Sequence, residues 1–308
     1  MSLKISNKII GLLFTVILEV VIFFVFIDSE KNERTFRKVL VDIDTTAVTE
    51  ILIYPKSQNH TEVKLSKSKE GWNVTLEDGK TANVTERRIS DLFKQLIAIL
   101  PKRLAARDEA KWNEFQVDST GSRVKVMEGS KVSLDLVIGR FSFQQPRTMK
   151  TFVRLYNDMD VYEVDGFLDM TFNQGANSFR DGTIISDDFN NWTQLQFNYP
   201  ADSSFQLIRN GNDWYLNGIK ADSTKTTNYL RRLSSLANSS FVDDFNPAKF
   251  IYPTYALNIT TTDLQFIEIK GFKDSTGYVV HSTENPDSYF DGNSVGKTIF
   301  VGTSEFLP

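Results

Sequence analysis

The chain has 308 residues, 41% of them hydrophobic and 24% charged, which is enough apolar material for two packed cores and excludes wholesale disorder. Its 35 basic residues are outnumbered by 39 acidic ones, so it lacks the basic footprint of a polyanion-binding surface and nucleic acid is excluded as a partner. Cysteine is absent, which excludes disulfides, thiolate metal sites, a cysteine nucleophile and the lipidated cysteine of a bacterial lipoprotein.

Residues 9–27 form an almost unbroken apolar run, close to the roughly 20 residues that a bilayer-crossing helix needs. Lys4 and Lys8 precede it, Asp28, Ser29 and Glu30 follow it, and no small-x-small pair marks a cleavage site. The pattern predicts an N-terminal cytoplasmic tip and transmembrane helix over residues 1–28, single-pass in the inner membrane, with the rest of the chain extracytoplasmic, in the periplasm. Glu19 stands near the middle of this run, where an ionised group costs about 2.5–3.5 kcal/mol. Either it is protonated and tolerated, or it pairs with a polar group on a partner's membrane helix.

Residues 29–47 read as a charged juxtamembrane segment ending in a strand over residues 39–43. From there the chain repeats itself. The first copy, residues 48–172, opens with VTEILIYP (48–55), passes Trp72, and reaches Ala82 and a helix predicted over residues 85–100. The second, residues 192–308, opens with WTQLQFNYP (192–200), passes Trp214, and reaches Ala221 and a helix predicted over residues 224–237. Ile89, Leu92, Phe93, Leu96, Ile97 and Leu100 fall on one helical face; Tyr229, Leu230, Leu233, Leu236 and Ala237 do the same in the second copy. Later strands correspond in order: 124–127 with 256–260, 131–139 with 264–271, and 161–168 with 299–307. Strand-period alternation around one amphipathic helix per copy gives the expected fold class, α+β with mostly antiparallel sheets. Residues 173–191, rich in Asn, Asp, Gly and Ser around Phe179-Arg180-Asp181, read as a connector.

The chemistry-bearing residues form no recognisable machinery. His60 reads as a loop residue and His281 as a strand residue, and no cysteine joins them. Gly296-Lys297-Thr298 lacks both the spacing and the following helix of a phosphate loop, and reads as a turn before a last strand. Asp187-Asp188, Asp243-Asp244 and Asp287 with Asp291 do not follow calcium-loop spacing and read as turn residues. The expectation is therefore a non-enzymatic protein with no catalytic residue, cofactor or metal. Tyr54, Trp72, Trp112, Tyr199 and Trp214 offer aromatic faces for a sugar or serve the cores of the two copies.

Taken together, the apolar N-terminal run, the strand at 48–55, the Trp72 strand, Ala82 leading into a helix, Phe179-Arg180-Asp181 and Ala221-Asp222 with its helix resemble a bacterial family known as domain of unknown function 4340. The resemblance covers nearly the whole chain, and its motifs are structural rather than catalytic. Residues 34–44 look like the members found in Bacteroidetes-type bacteria. The resemblance implies an accessory extracytoplasmic subunit of an ABC-type or gliding-associated transport system, with a polytopic permease as partner. A module that captures a glycan or a peptide between its two copies is the alternative. An envelope hydrolase ranks last, because the usual nucleophile and base are missing.

Overall fold

The computed structural model describes residues 37–144, 148–273 and 277–308. Alternating apolar and polar side chains build two large sheets. The first contains β1 (Glu50–Tyr54), β2 (Val63–Lys67), β3 (Trp72–Thr75), β4 (Thr81–Val84), β5 (Pro101–Ala106), β6 (Ser122–Glu128), β7 (Lys131–Gln144), β8 (Thr148–Leu155) and β9 (Val161–Asp165). A small sheet pairs β10 (Thr183–Ser186) with β15 (Ser235–Ala237). The second large sheet contains β11 (Trp192–Asn198), β12 (Phe205–Asn210), β13 (Asp213–Leu216), β14 (Ile219–Lys220), β16 (Tyr255–Thr261), β17 (Phe266–Lys273), β18 (Tyr278–Ser282) and β19 (Asn285–Asp291). Their orders are β4-β3-β2-β1-β6-β7-β8-β9-β5 and β14-β13-β12-β11-β16-β17-β18-β19, so the second repeats the first apart from β5 at its edge.

Each large sheet covers one face with a short helix. In α1 (Glu86–Ile97), Thr85 caps the start by accepting from Arg88 N, and Ile89, Leu92 and Leu96 are buried. The brief helices α2 (Trp112–Phe115) and α3 (Asp169–Phe172) follow. In α4 (Ser223–Leu233), Asp222 accepts from Lys225 N at 2.8 Å, and Thr226, Tyr229, Leu230 and Leu233 are buried. A last helix, α5 (Gly292–Ile299), is capped by Asp291. Burying each large apolar side chain contributes about 1.5–3 kcal/mol, so the stripes hold these helices on their sheets. One apolar cluster runs under the first sheet from Leu40 to Phe179, and a second runs under the other from Ile184 to Phe306.

The fold class differs from the α+β expectation: the described residues are mostly β, 42% strand against 22% helix. Tertiary pairing overrides local pattern at identifiable places. The expected second helix runs to residue 237, yet α4 ends at Leu233 because residues 235–237 leave it to pair with β10, Leu236 opposite Ile185. The connector itself supplies β10. Residues 148–155, which carry no expectation from the sequence, add β8, and residues 285–291, where Asp287 and Asp291 are expected in turns, add β19. In the other direction, residues 39–43 form no strand, although Leu40 is buried, and residues 299–307 hold a helix end and a 3-10 turn instead of a last strand. Gly296-Lys297-Thr298 lies inside α5 rather than in a turn. Ile97 and Leu100 are half exposed, since the face of α1 that meets the sheet ends at Leu96.

The transmembrane helix of the same expectation, with Glu19, falls in residues 1–36 and lies outside the described residues. Among the described residues no helix is long and apolar enough to cross a membrane.

Candidate functional site

The two sheets meet at the segment that follows the first copy, and the chain stitches them there from both sides. Phe179 is buried in the first core, whereas Ile184 and Ile185, only a few residues later, are buried in the second. Between them, Asp181 N donates to Asn83 O at 2.7 Å, docking the segment onto the edge strand β4. On the other side Asn285 Nδ2 donates to Asp181 O at 2.9 Å and to Thr183 O at 3.2 Å, and Asn238 N donates to Gly182 O at 2.8 Å. Gly182 is required by this approach: a Cβ there would stand 2.5 Å from Asn238 O.

Arg180 is the charged centre of the joint. It is 3% exposed, and its Nη1 donates to both oxygens of Asp243 at 2.8 and 2.9 Å and to Asn177 Oδ1 at 3.3 Å. Its guanidinium lies 3.7 Å from the ring centre of Phe241. Burying a cation is tolerable only with such partners, and even so its Nε is buried without a hydrogen bond among the described residues.

Beside the joint lies a groove of about 730 Å³, lined by Gln58, the β3–β4 turn with Glu77, Asp78 and Lys80, the segment 174–178, and Asp243 and Asp244. Asp78 and Lys80 form an ion pair of 2.8 Å. The Lys80 side chain and backbone both bond to the Asp78 carboxyl and hold it below the usual carboxylate range. Lys80 in turn is pushed up, first by Asp78 and more weakly by Asp243 across the groove. Glu77 and Asp244 have no ion pair or side-chain hydrogen bond among the described residues. With Arg180 and Lys80 counted against four carboxylates, the groove is negative. Among the described residues no group of three or more His, Asp or Glu side chains is placed to hold a metal ion.

The aromatic candidates are not brought together. Trp72 packs edge-on against Phe93 at 6.0 Å in the gap between the β2–β3 hairpin and α1, and Trp214 takes the equivalent place between β12–β13 and α4. In both gaps a cation ties the hairpin to the lead-in of the sheet: Lys67 Nζ donates to Thr46 O, and Arg209 Nη1 to Asn190 O. Trp112 donates to Met159 O at 3.1 Å and is covered by Arg154. Tyr54 donates to Glu62 at 2.7 Å, and burial and that carboxylate push its phenol up to about 12. Tyr199 donates to Val301 O at 2.9 Å. None of the five lines the groove. His60 Nε2 is 3.0 Å from Gly121 O and His281 Nε2 is 3.0 Å from Pro286 O. Asp187 accepts from Trp192 Nε1, and Asp188 and Asp291 cap helical turns. Of the acidic pairs, only Asp243-Asp244 reaches the joint and its groove, Asp243 as the partner of Arg180. The groove residues Glu77, Asp78 and Lys80 sit in an ordinary turn, and no sequence signal marks them.

Part of the joint lies in what the chain shares with known sequences. Residues 81–257 match the sequence model of a family described as domain of unknown function (DUF4340), a stretch that starts at β4, crosses the joint and ends in β16. The chain belongs to the DUF4340 family. No curated protein and no solved structure matches it. The DUF4340 match covers only part of each sheet; it includes the segment 173–191, Asp243 and Asp244, but neither Asn285 nor the groove residues Gln58, Glu77, Asp78 and Lys80.

Proposed function

We propose that this DUF4340 chain is a non-enzymatic binding protein, and that its joint groove takes an extended, positively charged segment of a partner protein. The observation that carries this reading is a pair of carboxylates without partners among the described residues, Glu77 in the β3–β4 turn and Asp244 in the segment between β15 and β16, facing a groove of about 730 Å³. That volume falls within the roughly 300–1,000 Å³ of ligand-binding clefts, and boundaries between domains are their common location. Asp78 and Asp243 are already satisfied by Lys80 and Arg180 and build the walls. A lysine or arginine entering the groove would complete the charge balance that the protein leaves open. A neutral glycan would find no aromatic platform here.

Fluorescence anisotropy with a labelled Lys/Arg-Gly decapeptide, beside a Ser-Gly decapeptide of equal length, tests this. The basic peptide should bind and weaken with salt, and Glu77→Gln/Asp244→Asn should lower its affinity about tenfold, which is about 1.4 kcal/mol. Equal binding of the neutral peptide, no binding of either, or an unaffected double variant would refute it.

A further inference from the structure

A second cavity, of about 270 Å³, lies in the second sheet and shares no residue with the joint groove. Its wall is a cluster of three rings: Tyr255 stands 5.5 Å from Tyr278 and 5.5 Å from Phe300, and Tyr278 stands 6.2 Å from Phe300. The rings are mutually tilted by 32°, 31° and 50°, so they present a curved apolar surface rather than a flat slot. The seat of Tyr278 is built by α5. A Cβ on Gly292 would come within 2.9 Å of the Tyr278 ring, and one on Gly296 within 3.1 Å, so two glycines one helical turn apart let the ring lie flush on the helix.

Polar groups converge on the same space. Lys273 at the end of β17 and Lys297 on α5 line it, both exposed and neither in an ion pair among the described residues. Asn293 adds an exposed amide. Burial first, then the neighbouring Tyr255 hydroxyl, keeps the Tyr278 hydroxyl protonated well above its ordinary range.

We propose that this cavity binds an acidic sugar, a pyranose ring bearing a carboxylate or a phosphate. The curved aromatic wall suits the apolar face of a pyranose, the two ammonium groups suit the anion, and Asn293 suits a ring hydroxyl. The volume lies just below the roughly 300 Å³ at which sites for drug-sized ligands begin, which fits a single sugar unit. A nucleotide is a poorer fit. It is larger, and Gly296-Lys297-Thr298 sits inside α5 rather than in a glycine loop ahead of a helix.

Isothermal titration of the full chain with trigalacturonate, glucose 6-phosphate and maltotriose tests the proposal. At least one acidic sugar should bind at least tenfold more tightly than maltotriose, and which of them does so distinguishes carboxylate from phosphate. Lys273→Gln/Lys297→Gln, at two exposed positions, should lose about tenfold in affinity with thermal unfolding unchanged, and Tyr255→Leu should weaken binding further. The Glu77→Gln/Asp244→Asn variant should bind the sugar as the wild type does, which keeps this site distinct from the joint groove. Binding of neither acidic sugar, maltotriose binding as tightly, or an unaffected double lysine variant overturns it.

Discussion

Replacing Asp243 by Ala is expected to destabilise the protein more than replacing Arg180 by Met, although the two residues form one ion pair. The Arg180 side chain is 2% exposed and that of Asp243 is 45% exposed. Removing one partner of a fully buried pair typically costs about 3–5 kcal/mol, because the other charge is stranded. In Asp243→Ala the guanidinium keeps, among the described residues, Asn177 and the face of Phe241, and its Nε has no partner there to begin with. Water reaching the half-exposed Asp243 position screens part of this loss, leaving about 2–3 kcal/mol. In Arg180→Met the charge leaves the interior, the aliphatic volume stays against Phe241, and Asp243 turns to solvent. The loss is then mainly the cation–π contact, about 1 kcal/mol. The double variant should match Arg180→Met alone. Urea unfolding of each variant, compared by midpoint with unchanged slope, measures these differences. Equal losses, or a larger loss in Arg180→Met, would refute the assignment of Arg180 as a buried cation that depends on Asp243.

Gly182→Ala places a Cβ 2.5 Å from Asn238 O and should loosen the joint by about 2 kcal/mol, seen as a lower urea midpoint. Glu163, 5% exposed, is held below its ordinary value of 4.5: burial works against this, but Lys150 at 2.5 Å and Arg103 at 2.6 Å outweigh it. A depressed folded value means that its contribution to stability is present above pH 4.5 and is lost as pH falls through the folded value. Glu163→Gln should therefore unfold earlier than wild type at pH 7, with the gap closing below about pH 4.5; a gap independent of pH would contradict this.

The parts of the fold that are legible in the sequence are those written by local pattern. Thr85 and Asp222 mark the helix starts, the alternation in residues 50–54 marks a strand, and Trp72 with Trp214 marks equivalent positions. What escapes is decided by partners distant in sequence. Leu236 continues a helical stripe, but β10 captures it; nothing local to 183–186 announces that strand. The class shifts from α+β to mostly β for the same reason, since β8 and β19 gain their identity from neighbours already in the sheet.

The candidate site divides in the same way. Phe179-Arg180-Asp181 and Asp243-Asp244 are visible as motifs, but their contact spans 63 residues and only the folded chain makes it an ion pair. Glu77 and Lys80 in the β3–β4 turn, and Tyr278 beside Gly292 and Gly296, have ordinary local sequence and gain meaning from what stands opposite them.

Hydrogen–deuterium exchange of the full chain with and without the Lys/Arg-Gly decapeptide is decisive for the joint groove as a binding site. Protection should appear together in residues 76–80 of the β3–β4 turn, in the segment 174–178 and around Asp243 and Asp244, and should vanish in Glu77→Gln/Asp244→Asn. Protection elsewhere, or on one side of the groove alone, would contradict a site formed between the two sheets.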